Sequence, residues 1–333
     1  MPVAVIDLGS NSLKALVAEG PPLRILGEAS DATRLSPEEG EPPGELSPRA
    51  MREGVAAVER LLEATRRYGA GRTRIVATSM VRDAANGTAF RDAVHARTGC
   101  LLEILDGSAE ARGIAAGVAT DPALANLLQG DRAHAAGRVE WRILDIGGGS
   151  LEYIHVVAGS VRVAESRPLG AVRLTRRFLS DPTAPVPHRE LSAVSAHVRA
   201  ALGDLVRADS AAAGSPFVGC SGVFSVCRAL LAEGQGRRGG ESLPVLAVPE
   251  LRRLRESLSA MTLAERMAVT GLPATRADIM PVSLTILLEV AALGGVEAFV
   301  HSRRSLRHGL ASGMLASPLS QEKPFTANSS PPS

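Results

Sequence analysis

Aromatic residues are scarce, at 3% of a 333-residue chain with a single Trp. That excludes a core built on stacked rings, so packing must come from Leu, Val, Ile and Ala. Lysine is scarcer still: only Lys14 and Lys323 occur, and arginine carries the positive charge. This reads mainly as coding bias, although a guanidinium also suits bidentate phosphate contacts. An excess of either charge is missing. A net charge of +2 argues against a dedicated nucleic-acid binder, which would carry a basic face. The three cysteines, Cys100, Cys220 and Cys227, match no zinc spacing, and their odd number makes no disulfide framework. Reduced thiols in a cytoplasmic protein are expected. The most apolar late stretch, 279–300, contains Pro281, Glu289 and a Gly pair. It reads as a buried helix and then a strand, not as a membrane span. Met1 runs almost directly into an apolar strand with no basic leader, so no signal peptide is expected.

What is present is an internal echo. "AVIDLGSNSLKALVA" (4–18) and "RILDIGGGSLEYIHVV" (142–157) each place an apolar run before Asp, an apolar residue, Gly, two small residues and Ser. A second apolar run then follows. Around these two hairpins, strands and helices alternate. Ser47-Pro48 forms an N-cap followed by proline at the first helical position, and Met51, Val55, Val58 and Leu62 continue one apolar stripe. Residues 73–79 read as a buried strand, 88–99 as a helix, 101–105 as a strand, and 108–120 as a helix capped by Ser108. Residues 121–140 lack periodicity and read as a connection. Further on, 189–208 is a long helix, 216–222 a strand ending in a glycine turn, and 223–233 a helix. The proline-rich end, 317–333, reads as disordered. The length favours two domains, and the alternation makes both α/β. Two similar domains facing a cleft would let two glycine turns close on one ligand from opposite sides.

Glycine turns expose consecutive backbone N–H groups and form concave anion sites. Gly147, Gly148 and Gly149 let main chain approach a phosphate without interference from Cβ. Ser10, Asn11, Ser12 and Ser150 add side-chain donors. Asp7 and Asp145 end their strands at the mouths of the turns, where a carboxylate suits Mg²⁺ held jointly with substrate phosphate oxygens. Either turn alone reads equally well as a plain tight hairpin; the matched pair is more specific. Glu110 falls in the first turn of the 108–120 helix, where compensating the helix dipole is a sufficient reason for a carboxylate.

The segments "AVIDLGSNSLKALVA", "ATSMVRDAAN" (77–86), "ILDGSAEARGIAAGV" (104–118), "ILDIGGGSLEY" (143–153) and "VGCSGV" (218–223) together resemble the exopolyphosphatase and guanosine pentaphosphate phosphatase (Ppx/GppA) family. The resemblance covers about residues 3–315 and corresponds to the short two-domain form. It implies two actin-like (ribonuclease H-like) α/β domains facing an interdomain cleft. These are expected at 1–125 and 126–303, with a closing helix at 304–316 packed back towards the first domain and a tail at 317–333. It implies an enzyme that hydrolyses the terminal phosphoanhydride of inorganic polyphosphate with Mg²⁺ or Mn²⁺. The alternatives are the 5′-phosphate of guanosine pentaphosphate as substrate, or a non-catalytic sensor on the same fold. Carried over by position, the resemblance makes Glu110 and Glu152 catalytic and Asp7, Asp145 and Glu152 metal-binding. Gly9, Ser10, Asn11, Ser12, Lys14, Arg82, Gly147, Gly148, Gly149 and Ser150 become phosphate-binding. A homodimer with no nucleic-acid or membrane partner is expected. Three positions depart from the family pattern: Ala109 where a second acid is common, Val223 where threonine is common, and His308 where an acid is usual.

Overall fold

The computed structural model describes residues 1–36, 44–125, 134–135, 138–209, 215–234 and 245–317. The expected domain junction after residue 125, and the tail beyond Ser317, lie outside the described residues. In the first half, β1 (Val3–Leu8), β2 (Leu13–Glu19) and β3 (Arg24–Asp31) form an antiparallel meander. Helix α1 (Pro48–Arg66) returns the chain to β4 (Arg72–Ala77), parallel to β1. Helices α2 (Ser79–Arg82) and α3 (Gly87–Thr98) lead to β5 (Leu102–Ile104), and α4 (Gly107–Ala119) follows. The sheet order is β3-β2-β1-β4-β5.

The second half opens with the short β6 (His134–Ala135), β7 (Arg138–Ile146), β8 (Leu151–Val157) and β9 (Ser160–Arg167). Helices α5 (Ala171–Phe178) and α6 (His188–Ala208) precede β10 (Phe217–Gly219), and α7 (Gly222–Gly234) precedes β11 (Val245–Ala247). Then come α8 (Val248–Ser259), α9 (Leu263–Met267), α10 (Met280–Gly294), β12 (Ala298–His301) and α11 (Leu306–Ala316). The sheet runs β11-β12-β10-β7-β8-β9, with β6 paired to β7. Its β9-β8-β7-β10-β12 portion repeats the first sheet in order and in strand direction. This is the duplicated α/β architecture of the actin-like fold.

Strand β1 is apolar almost throughout because both of its faces are covered. Alternate residues of β1 serve different layers. Ile6 and Leu8 pack with Val58, Leu61 and Phe90 of α1 and α3, whereas Val3 and Val5 meet Ile114 and Val118 of α4 and Leu310 and Met314 of α11. Trp141, Ile143, Ile154 and Val156 of the second sheet belong to that same cluster. The helix pair α4–α11 is therefore sandwiched between the two sheets. Each of its fully buried Leu, Ile and Met side chains stabilises the arrangement by roughly 1.5–3 kcal/mol. The two helices approach too closely for any side chain at the contact: a Cβ on Gly309 would lie 1.9 Å from the Gly113 carbonyl oxygen. The last helix is thus pinned to α4, although it follows directly from β12 of the other sheet.

The 279–300 stretch is a helix and then a strand, and Glu289 is neutralised by a two-pronged contact from Arg199, at 2.7 and 3.1 Å. Among the described residues, no helix is long and apolar enough to cross a membrane. One local expectation is corrected. The cap of α4 is Asp106, not Ser108: the Asp106 carboxylate accepts from the Ala109 amide at 2.7 Å. The sequence offers two acceptable caps two residues apart, and the extended backbone at Asp106 selects the first.

Candidate active site

The two hairpins share one register. Leu8 pairs with Leu13 and Ile146 with Leu151, so each loop has four residues. One step further out, Asp7 faces Lys14 in the first hairpin and Asp145 faces Glu152 in the second. The turns meet across the cleft: a Cβ on Gly148 would lie 2.8 Å from the Ser10 Cβ, and one on Gly149 would lie 2.5 Å from Ser79 Oγ.

The amino-terminal segment of α5 decides which way the second turn faces. Gly147 O accepts from the Ala171 amide at 2.9 Å and Gly148 O from the Arg173 amide at 3.0 Å. Gly149 O accepts from Arg173 Nε at 2.8 Å and from the Gly170 amide at 3.3 Å. In a trans peptide the N–H points opposite to the C=O. Pinning these three carbonyls against α5 therefore aims the amides of Gly148, Gly149 and Ser150 away from it. Only glycine fits at 170, because a Cβ there would sit 2.3 Å from the Gly149 carbonyl carbon.

The turns and α4 enclose a cavity of about 210 Å³. Asp7, Gly9, Ser10, Asn11, Ser12, Lys14, Glu110, Asp145, Gly147, Gly148, Ser150 and Glu152 all line it. Two expected residues do not. Gly149 supports the turn from behind, and Arg82 is committed elsewhere: its Nη1 donates to Glu110 Oε2 at 2.8 Å and to Leu105 O at 3.0 Å. Arg276, Ser79, Cys220 and Ser305 line the cavity without having been singled out from the sequence. Arg276 lies in a one-turn 3-10 segment that reads as ordinary surface. Ser305 and Cys220 sit beside Asp145, donating to its Oδ2 at 2.9 and 3.5 Å. Contacts of that kind leave no spacing pattern in a sequence.

Four carboxyl groups thus gather in one enclosure, and each is displaced upwards. Burial drives Glu110 to about 7, against the opposing contact with Arg82, while the charges of Asp7 and Asp145 add to the rise. Glu152 is pushed well above its usual range by burial and then by Glu110 and Asp145, although the Ser166 hydroxyl donates to it at 2.8 Å. Burial lifts Asp145 to about 6, with Ser305 and Cys220 holding it down. Asp7 rises through burial, moderated by Arg307 and Lys14. Lys14 is lowered to about 8, first by burial and then by Arg307 and Arg276. Burial is the leading cause of every one of these shifts, and Lys14, Arg276 and Arg307 line the same enclosure. Asp7 Oδ1 is buried and has no hydrogen-bond partner. Among the described residues, no three His, Cys, Asp or Glu side chains form a group that could hold a metal ion unaided. The buried, unpartnered Asp7 Oδ1 and the Asp145 carboxylate in the same cavity are donors of the kind that suit Mg²⁺, which takes one or two carboxylates and completes its shell with water and substrate phosphate.

A family model of the Ppx/GppA phosphatase family matches residues 14–318. Among solved structures, an exopolyphosphatase from Cytophaga hutchinsonii is 24% identical, with 95% of this chain and 98% of that chain covered and a TM-score of 0.82. The Aquifex aeolicus member of the Ppx/GppA family is 23% identical over 95% of this chain and 98% of that chain, with a TM-score of 0.73. At these identities the two structures establish a shared fold.

Proposed function

Because the chain belongs to the Ppx/GppA phosphatase family, we propose that it is an exopolyphosphatase that removes terminal phosphate from inorganic polyphosphate with the help of Mg²⁺ or Mn²⁺. One observation carries this reading. Glu110, buried and poised near neutrality, faces the same cavity as two opposed glycine turns. A binding protein has no use for a proton acceptor there, whereas hydrolysis of an anhydride needs one.

The terminal phosphate lies between the turns. Its equatorial oxygens receive the amides of Gly148 and Ser150 and the hydroxyls of Ser10 and Ser12. Donors fixed in place before the reaction stabilise developing charge without reorganising. Arg82 holds Glu110 by Oε2, which leaves Oε1 to accept a proton from water. The water oxygen bonds to phosphorus, its proton passes to Glu110, and the bridging P–O bond breaks. The shortened chain leaves with the bonding pair. A base whose conjugate acid titrates near the working pH is well matched to this transfer. Asp7 and Asp145, with Glu152 opposite Asp145 in the hairpin, would hold the cation, which supplies electrostatic neutralisation of the phosphate oxygens when bound. Lys14, Arg276 and Arg307 provide fixed positive charge around the rest of the chain.

The test is phosphate release from polyphosphate, guanosine pentaphosphate and ATP by the same preparation, with Mg²⁺ and with chelator. Polyphosphate is expected to give the highest kcat/KM, and chelation to abolish release. Preference for the nucleotide moves the assignment to guanosine pentaphosphate hydrolysis. Binding of polyphosphate with no release from any of the three makes the protein a sensor.

A further inference from the structure

Arg173 joins parts of the molecule that the chemistry requires to be in register, and nothing in the family motifs points to it. It occupies the first turn of α5. Its backbone amide and its Nε hold the carbonyls of Gly148 and Gly149, at 3.0 and 2.8 Å. Its Nη2 crosses to the other half of the molecule and lies 2.6 Å from Asp83 Oδ2. Asp83 caps the carboxyl end of α2, and its other oxygen lies 3.6 Å from Arg82 Nε. Arg82 in turn holds Glu110 at 2.8 Å. An unbroken run of polar contacts therefore extends from the second glycine turn to the water-activating carboxylate, and it bridges the two halves at the Arg173–Asp83 contact.

We propose that Arg173 is a positioning residue that fixes the second phosphate turn relative to Glu110 through Asp83. The proposal rests on the reading of the cleft as a site of phosphoanhydride hydrolysis. A forked side chain is needed because Nε and Nη2 serve acceptors in different halves at once, and a lysine ammonium is a single point of charge. The pair is more than a third exposed on both sides, at 36% and 41%. A contact so exposed contributes at most about 1 kcal/mol to stability. Its consequence for catalysis is larger, because a displacement of about 1 Å between a reacting group and its substrate lowers rates by up to about a hundredfold.

The experiment compares wild type with Arg173→Met, Arg173→Lys, Asp83→Ala and the Arg173→Met/Asp83→Ala double variant. Phosphate release, melting temperature and amide exchange across residues 147–150 are measured on the full chain. Each single variant is expected to lose about tenfold in kcat, with KM changed by less than about threefold, because alignment is lost while most phosphate donors remain. The double variant is expected to be no slower than either single one, as for two residues acting through one contact. Melting temperatures stay near wild type, and exchange in the turn speeds up in every variant. Multiplicative losses in the double variant, a wild-type kcat in Arg173→Lys, or unchanged exchange would each overturn the proposal. If wild type itself releases no phosphate, the functional reading has failed and the exchange data alone decide: faster exchange in both Arg173→Met and Asp83→Ala keeps the clasp, and unchanged exchange removes it.

Discussion

Asp145→Asn should make the metal-free protein more stable while disabling it. Asp145 opens partly to the cleft, yet its surroundings raise the carboxyl from the usual 3.8 to about 6. Each pH unit of displacement corresponds to about 1.4 kcal/mol, so holding this carboxylate charged at neutral pH costs the fold at most about 3 kcal/mol. The amide has nearly the same shape and no charge, and Ser305 can rotate its hydroxyl to accept from it. With unfolding entropy of about 2.1 cal/mol/K per residue, relief of about 3 kcal/mol raises the melting temperature of a chain this size by about 4 °C. The sign follows from proton counting. The folded state binds more protons than the unfolded state between the two pKa values, so wild-type stability falls as pH rises through that window. The gap between variant and wild type is therefore full above pH 6, the folded-state value, and closes as pH falls to the unfolded one. Added Mg²⁺ should raise the melting temperature of wild type and leave the variant nearly unmoved, because the ion binds only where the carboxylate is ionised. Scanning calorimetry in chelator and in Mg²⁺, at neutral and acidic pH, measures all of this, with phosphate release on the same samples. A variant that melts below wild type in chelator at neutral pH, and still hydrolyses polyphosphate at the wild-type rate, would refute the placement of the metal-binding charge at Asp145.

Two further outcomes are expected. Glu110→Gln keeps the shape and the contact with Arg82 but cannot take a proton from water; turnover should fall by at least about a hundredfold with substrate binding nearly intact, as read by single-turnover phosphate release, and turnover close to wild type removes Glu110 from the reaction. The pH profile of kcat/KM should be a narrow bell: the rate rises through about 7 as Glu110 loses its proton and falls through about 8 as Lys14 loses its charge, and an alkaline limb that does not move upward in Lys14→Arg, whose guanidinium stays charged, disproves the role of Lys14.

The local grammar of the chain was legible without coordinates. Ser47-Pro48 starts a helix because its hydroxyl accepts from the Ala50 amide at 3.1 Å, and the two Asp-x-Gly hairpins form because short range alone determines a four-residue turn between apolar strands. The duplication of those hairpins was enough to bring Asp7, Asp145 and most of the turn residues to one cavity, since a repeated unit packs in a repeated way; Glu152, whose counterpart in the first hairpin is Lys14, was named by the family resemblance. What the sequence by itself determined is this inventory: two like hairpins, the strand and helix sequence, and the carboxylates at their mouths. Tertiary structure decided the partners. It set Arg82 against Glu110, brought Arg276 and Ser305 to the cavity from distant segments, and set α4 and α11 between the two sheets through the Gly113–Gly309 approach. Contacts of this kind join residues more than 20, and in some cases more than 150, positions apart. No periodicity or spacing encodes them, because they exist only once burial has excluded water and left each polar group to find its partner inside the protein.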